Sequence, residues 1–148
     1  MSMSASHPTS LDAERVRALM AVRFPQIQSG GRFAIEEVGP RSARVRLKPD
    51  PRNTRPGGTI SGPAIFTLAD YSIYVAIVGA LGEVGFEAVT ASLTINFLAK
   101  PEPGDLTACV TLVRLGRRLA VGEVEVFSQG VPDMVAHAIA NYALPVQR

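Results

Sequence analysis

The sequence predicts an α+β fold in which an antiparallel sheet wraps around one long central helix. Three observations lead there. Residues 63–81 form a nineteen-residue run with a single charge, apolar enough to be a helix buried on most sides. Four strand-like runs follow it with no helix between them, and a pair of alternating runs precedes it. Short connections demand antiparallel neighbours, so the strands read as a hairpin plus a four-strand meander laid over the helix.

The elements follow in order. Thr9 or Ser10 is placed to cap a first, surface helix, "LDAERVRALMAVRF", whose Leu11, Val16, Leu19, Met20 and Phe24 form an apolar stripe before Pro25 stops it. "RFAIEEV" and "SARVRLKP" flank Gly39-Pro40 as a hairpin, with Ala43, Val45 and Leu47 on one face and Arg44, Arg46 and Lys48 on the other. A turn-rich loop, "PDPRNTRPGG", leads to the long helix. Ser61 or Gly62 suits its N-cap, Pro63 its first turn, where no amide proton is needed, and Gly79 and Gly82 mark its end. Then "AVTASLTINFL" alternates Val89, Ala91, Leu93, Ile95 and Phe97 with Thr90, Ser92, Thr94 and Asn96. "DLTACVTLVRL" follows the turn at Pro101–Gly104, and "RLAVGEVEVFS" and "MVAHAIANYAL" complete the set. This arrangement is the hotdog fold.

Composition bounds the function. The 148 residues fit one domain, 1–148, with residues 1–8 expected as a flexible tail. With 47% hydrophobic and 19% charged residues the chain reads as a compact soluble protein. A net charge of +2, no Trp and 6% aromatics argue against a nucleic-acid partner, while a pI near 9.0 leaves room for a local basic patch facing an anionic ligand. The single cysteine, Cys109, excludes an internal disulfide framework. The first residues lack a signal-peptide layout, so the expected compartment is the cytoplasm. The 63–81 run approaches the length of a bilayer span. A carboxylate at its centre and the alternating segments after it favour a buried core helix and no membrane partner.

Three stretches in order, "RPGGTISGPAIFTLAD", "TASLTINFLAKPEPGDLTA" and "LGRRLAVGEVEV", resemble the signatures of the PaaI-like branch of hotdog-fold acyl-CoA thioesterases. The resemblance implies hydrolysis of an acyl-CoA to free acid and CoA. In that family the helix opens with His-Gly-Gly and carries an Asp nine residues after the His. Here Ser61, Gly62 and Pro63 occupy the triplet and Asp70 stands at the matching place. The resemblance makes Asp70 the base or nucleophile and Thr90 the hydroxyl beside the attacking water; read in isolation, Asp70 also fits a satisfied helix acid paired with an Arg or a Tyr. The missing His supports an alternative, a non-catalytic acyl-CoA-binding module.

Thioester hydrolysis needs an activated water or an attacking carboxylate, and donors aimed at the oxygen that becomes negative. Free amides at the helix start supply such donors; with Pro63 excluded, Gly62 and Ala64 are the candidates, supported by Ser61. Asp70 lies about two turns on, ~12 Å in axial rise from Ser61 at ~1.5 Å per residue, too far for one helix to serve both roles. The resemblance implies a site shared across a dimer interface, with the helix start from one subunit and the acid from the other. Asn53 is a further binding candidate in the preceding loop. Arg114, Arg117 and Arg118 flank a turn and suit the phosphates of coenzyme A, although solvated turn charges read the same way. Thr90 also reads as an ordinary strand threonine, His137 as structural and Cys109 as packing. No metal or nucleotide cofactor is implied, since zinc spacings, phosphate loops and nucleophile elbows are missing. Phe66, Tyr71, Tyr74 and Phe86 are the candidates to line an acyl tunnel. The outer sheet face is expected to carry Thr90, Ser92, Thr94, Asn96, Thr107, Cys109 and Thr111, small and uncharged, and hence to pair dimers into a tetramer.

Overall fold

A computed structural model describes residues 10–26 and 32–146; the expected tail, 1–8, with His7, lies outside the described residues. The elements are α1 (Ala13–Arg23), β1 (Arg32–Gly39), β2 (Ser42–Lys48), α2 (Gly62–Leu81), a short 3-10 helix (Gly82–Glu87), β3 (Val89–Phe97), β4 (Leu106–Leu115), β5 (Leu119–Ser128) and β6 (Met134–Ala143). The α+β class is borne out: six antiparallel strands in the order β1-β2-β4-β5-β6-β3 enclose α2.

The expected meander is corrected. β3 pairs with β6, not β4, and β4 pairs with β2 and β5. The linker 98–105 therefore crosses the ends of β6 and β5. Three strand spacings come to roughly 14 Å, well within the reach of eight extended residues at ~3.3 Å each. A short connection was sufficient for antiparallel pairing but did not require it.

Local chemistry sets the helix ends. Asp12, rather than Thr9 or Ser10, caps α1: its Oδ1 accepts from the Arg15 N–H at 2.9 Å. Val16 and Met20 are the buried side of α1, and the Leu11 N–H donates to the Gly79 carbonyl at 2.7 Å. Ser61 caps α2, Pro63 sits in its first turn, and Gly82 ends it in the left-handed region at φ 76°. Gly79 is not an end marker. It lies inside α2 where Val38 packs so closely that no Cβ fits.

The inner sheet face is built from small residues where α2 approaches. Ala120, Gly122, Ala136, Ala138 and Ala140 are buried there, and a Cβ on Gly122 would lie 2.8 Å from Ile73 Cγ2. The close approach buries α2 almost all round from Tyr71 to Leu81, whereas Pro63, Phe66, Thr67 and Asp70 nearer its start remain open. Its long apolar run is thus spent on the core.

A bulge rearranges the faces of β3. Thr90 pairs with Tyr142 and Ser92 with Asn141, leaving Ala91 extra. Thr90 consequently turns inward, in line with Leu93 and Ile95, while Ser92 stays outside and accepts from Asn141 Nδ2 at 2.9 Å. The expected outer position of Thr90 is corrected by this extra residue. That face is not uncharged either: Glu125 lies between Cys109 and His137, and Glu123 reaches His137 Nε2 at 3.3 Å.

Candidate active site

Asp70 projects from α2 toward the β3–β6 ladder. Its Oδ1 accepts from Thr90 Oγ1 at 2.9 Å and from the Tyr142 hydroxyl at 2.5 Å, and Tyr142 also reaches the Asp70 carbonyl at 2.9 Å. Among the described residues Oδ2 accepts nothing, and no cation pairs with the carboxylate. A structural ion pair is therefore not what holds this acid in the helix. Burial, then the Asp70 carboxylate, raises the Tyr142 phenol well above its ordinary range, so it stays protonated and remains a donor.

Asp70 lines a pocket of about 300 Å³ with Thr67, Thr90, Tyr142, Tyr71, Tyr74, Phe24, Ala88 and Val89. Of the four expected tunnel aromatics, Tyr71 and Tyr74 line it. Phe66 is 40% exposed beyond it, and Phe86 stands behind, its ring edge against Tyr74 at 6.0 Å. Phe24 meets Tyr74 edge-on at 5.8 Å, and Arg23 anchors this end of α1 by pairing with Glu83 at 3.1 Å and lying 5.0 Å over Phe86.

A second, smaller pocket of about 220 Å³ lies at the start of α2, lined by Ser61, Pro63, Ala64, Asn53, Arg52, Phe33, Leu47 and Thr67. Thr67 borders both pockets, so they are successive on one helix face. The Ser61 N–H is taken by the Asn53 carbonyl at 2.8 Å, and the Ala64 N–H points to Ser61 Oγ at 3.4 Å. Among the described residues the Gly62 N–H, unlike those of Ser61 and Ala64, meets no acceptor. Asn53 is 6% exposed and braces the loop, its Oδ1 accepting from the Asp50 N–H at 2.8 Å and its Nδ2 donating to the Lys48 carbonyl at 3.1 Å. Its second Nδ2 hydrogen meets no acceptor among the described residues.

A larger cavity, about 690 Å³, lies elsewhere, at the strand ends, and is lined by Arg114, Arg117 and Arg118 together with Arg41. Among the described residues it is lined by no carboxylate, whereas the smaller pocket contains Asp70. The two are neighbours through the sheet. Leu119, Ala143 and Val89 form one rung across β5, β6 and β3, and Ala120, Tyr142 and Thr90 form the next. The structure thus brings Asp70 and Thr90 together and sets Ser61, Gly62, Ala64 and Asn53 apart at the helix start.

Tyr142, Phe24, Thr67 and Arg41 carry no motif. Tyr142 did leave one signal: it closes the inner-face series Ala136, Ala138, Ala140 as its single large, polar-tipped member. No group of three or more His, Cys, Asp or Glu among the described residues is arranged to hold a metal ion.

Comparison with known proteins agrees with this architecture. The thioesterase superfamily model matches residues 57–134, the stretch from the loop before α2 to the start of β6. A candidate thioesterase of Silicibacter sp. TM1040 is 39% identical, with a TM-score of 0.81 over 91% of this chain and 92% of that one. The PaaI protein of the E. coli phenylacetic acid degradation operon shares the fold at 20% identity, TM-score 0.75, over 90% and 93% of the two chains. A candidate esterase of Saccharolobus solfataricus is 25% identical over 90% of this chain and 80% of its own length. With a matching model over half its length and a 39% identical relative over nearly all of it, the chain belongs to the thioesterase superfamily of hotdog-fold hydrolases.

Proposed function

We propose that the protein hydrolyses an acyl-CoA thioester to the free acid and CoA, with Asp70 as base or nucleophile. The observation that carries this is the carboxylate itself: uncompensated by any described cation, held on one oxygen by two hydroxyls, with the other oxygen free at a largely apolar pocket. As a base, Asp70 takes a proton from water and the hydroxide attacks the carbonyl carbon. The negative oxygen accepts from the Gly62 N–H, the C–S bond breaks, and the leaving thiolate takes the proton back. As a nucleophile, Asp70 forms a mixed anhydride that water then opens. Single turnover in heavy-oxygen water separates the two: the general-base route labels the product acid alone, and only an anhydride opened at the Asp70 carbonyl labels the Asp70 carboxylate.

The free edge of β3 supports a shared site. β3 pairs on one side only, and Val89, Phe97 and Leu98 are 64%, 54% and 55% exposed. Gly62 lies beside Phe97 at one end of β3, with a Cβ there 3.7 Å from the ring, and Asp70 is bonded to Thr90 at the other end. Antiparallel pairing of two β3 edges sets each subunit's Thr90 end against its partner's Phe97 end. The Gly62 amide of one subunit then faces Asp70 of the other. Pairing of two such dimers through the outer face gives the tetramer. In the cytoplasm the substrate is acyl-CoA, its phosphates reaching Arg114, Arg117 and Arg118 in the cavity that includes Leu119, the residue one rung beyond the Thr90–Tyr142 pair.

Free-thiol release from a panel of acyl-CoAs, with binding measured in parallel, tests the reading. Turnover abolished by Asp70→Asn is the expected result. Tight binding without turnover overturns it in favour of an acyl-CoA-binding module, which the capping role of Ser61 in place of a His would suit.

A further inference from the structure

We infer that Tyr142 is the positioning residue for Asp70, its hydroxyl pinning Oδ1 so that Oδ2 is the oxygen presented to the pocket. This rests on the reading of Asp70 as the reacting group. An aspartate on a helix has several accessible rotamers, and a carboxylate with both oxygens free turns readily. Here two donors converge on one oxygen from adjacent strands, Thr90 from β3 and Tyr142 from β6. Their convergence fixes the plane of the carboxylate and leaves the charge on Oδ2 unspent.

Tyr142 is the firmer of the two anchors. Its ring is 3% exposed and stacks on Tyr74 at 6.4 Å with 28° between the planes, so the hydroxyl is held from behind. The same hydroxyl lies 2.9 Å from the Asp70 carbonyl, which ties it to helix backbone as well as side chain. Thr90 sits beside a bulge on an edge strand, where the backbone is less constrained. The Tyr142 hydroxyl acts through Asp70, to which both of its hydrogen bonds run.

Tyr142→Phe keeps the ring and its stack and removes only the hydroxyl. A misplacement of about 1 Å costs about 10²-fold in rate, so kcat is expected to fall about 10- to 100-fold with KM within about twofold. In an Asp70→Asn background the same change is expected to alter residual kcat less than about twofold, since coupled residues do not add. Undiminished kcat in the single variant, or an equal loss in both backgrounds, overturns the inference. A crystal structure of Tyr142→Phe provides a readout independent of turnover: the Asp70 carboxylate is expected to be rotated or split between conformers, and an unmoved carboxylate refutes the positioning role. Absence of thiol release by the wild type, by contrast, removes the hydrolase reading and leaves the crystallographic test standing. If Tyr142→Phe does not fold, Thr90→Val removes the other donor to Oδ1 and is expected to lower kcat in the same way, again without raising KM.

Discussion

Thr90 and Tyr142 face each other across the β3–β6 ladder, and both hydroxyls reach the same oxygen of Asp70. The pairing depends on a single extra residue, Ala91, which turns Thr90 inward and leaves the rest of β3 in its alternation. A carboxylate inside an apolar helix is costly unless it is hydrogen-bonded. Here the bonds are made by neutral groups that leave one oxygen free.

Asp70→Asn is expected to lower kcat at least ~10²-fold with acyl-CoA affinity retained. The thermal midpoint should hardly move, because the carboxamide oxygen accepts the same two bonds and no cation is stranded. A buried ion pair broken on one side would instead cost about 3–5 kcal/mol. Residual turnover on a strongly destabilised fold would assign Asp70 to structure.

Replacing Arg117 and Arg118 by Ala is expected to raise KM for acyl-CoA more than for a short thioester lacking the nucleotide, with kcat little changed. Charge-assisted bonds contribute about 1–3 kcal/mol, less where solvent screens them, and both arginines are exposed. Equal effects on the two substrates remove the clamp.

Phe24 closes the pocket from the end of α1. Phe24→Ala is expected to move preference toward longer or bulkier acyl groups, by about 10-fold or more in relative kcat/KM, the range that one or a few methylenes command in an apolar pocket. A chain-length profile identical to wild type counts against Phe24 as a wall of the site.

The three tyrosines should titrate late. Burial pushes Tyr71 up to about 12, and burial also raises Tyr74 and, with the Asp70 carboxylate, Tyr142. The unfolded phenol ionises near pH ~10, so the stabilisation is complete below that pH and is lost as pH rises toward the folded value of about 12. With no Trp in the chain, tyrosinate absorbance reads this directly. A native titration that coincides with that in urea contradicts the packing around α2.

Light scattering at micromolar concentration is expected to give a dimer or tetramer, and specific activity is expected to fall on dilution as the shared site comes apart. A monomer with undiminished activity argues against a site built from two subunits.

Much of this protein was legible in its sequence because the relevant chemistry is local. Ser61, Pro63 and Gly82 set the ends of α2 by capping and backbone geometry, and the alternation of Ala43, Val45 and Leu47 marks an inner face with no knowledge of what it packs against. Asp70 stood out because a charge in an apolar run needs a reason. The partners of that charge were decided by tertiary structure alone. Strand order follows from closing the sheet around the helix, which moves β3 from beside β4 to beside β6 and so sets Tyr142 opposite Thr90. A bulge of one residue, invisible to a period-two pattern, then selects which face Thr90 occupies, because every side chain beyond the extra residue changes side relative to those before it.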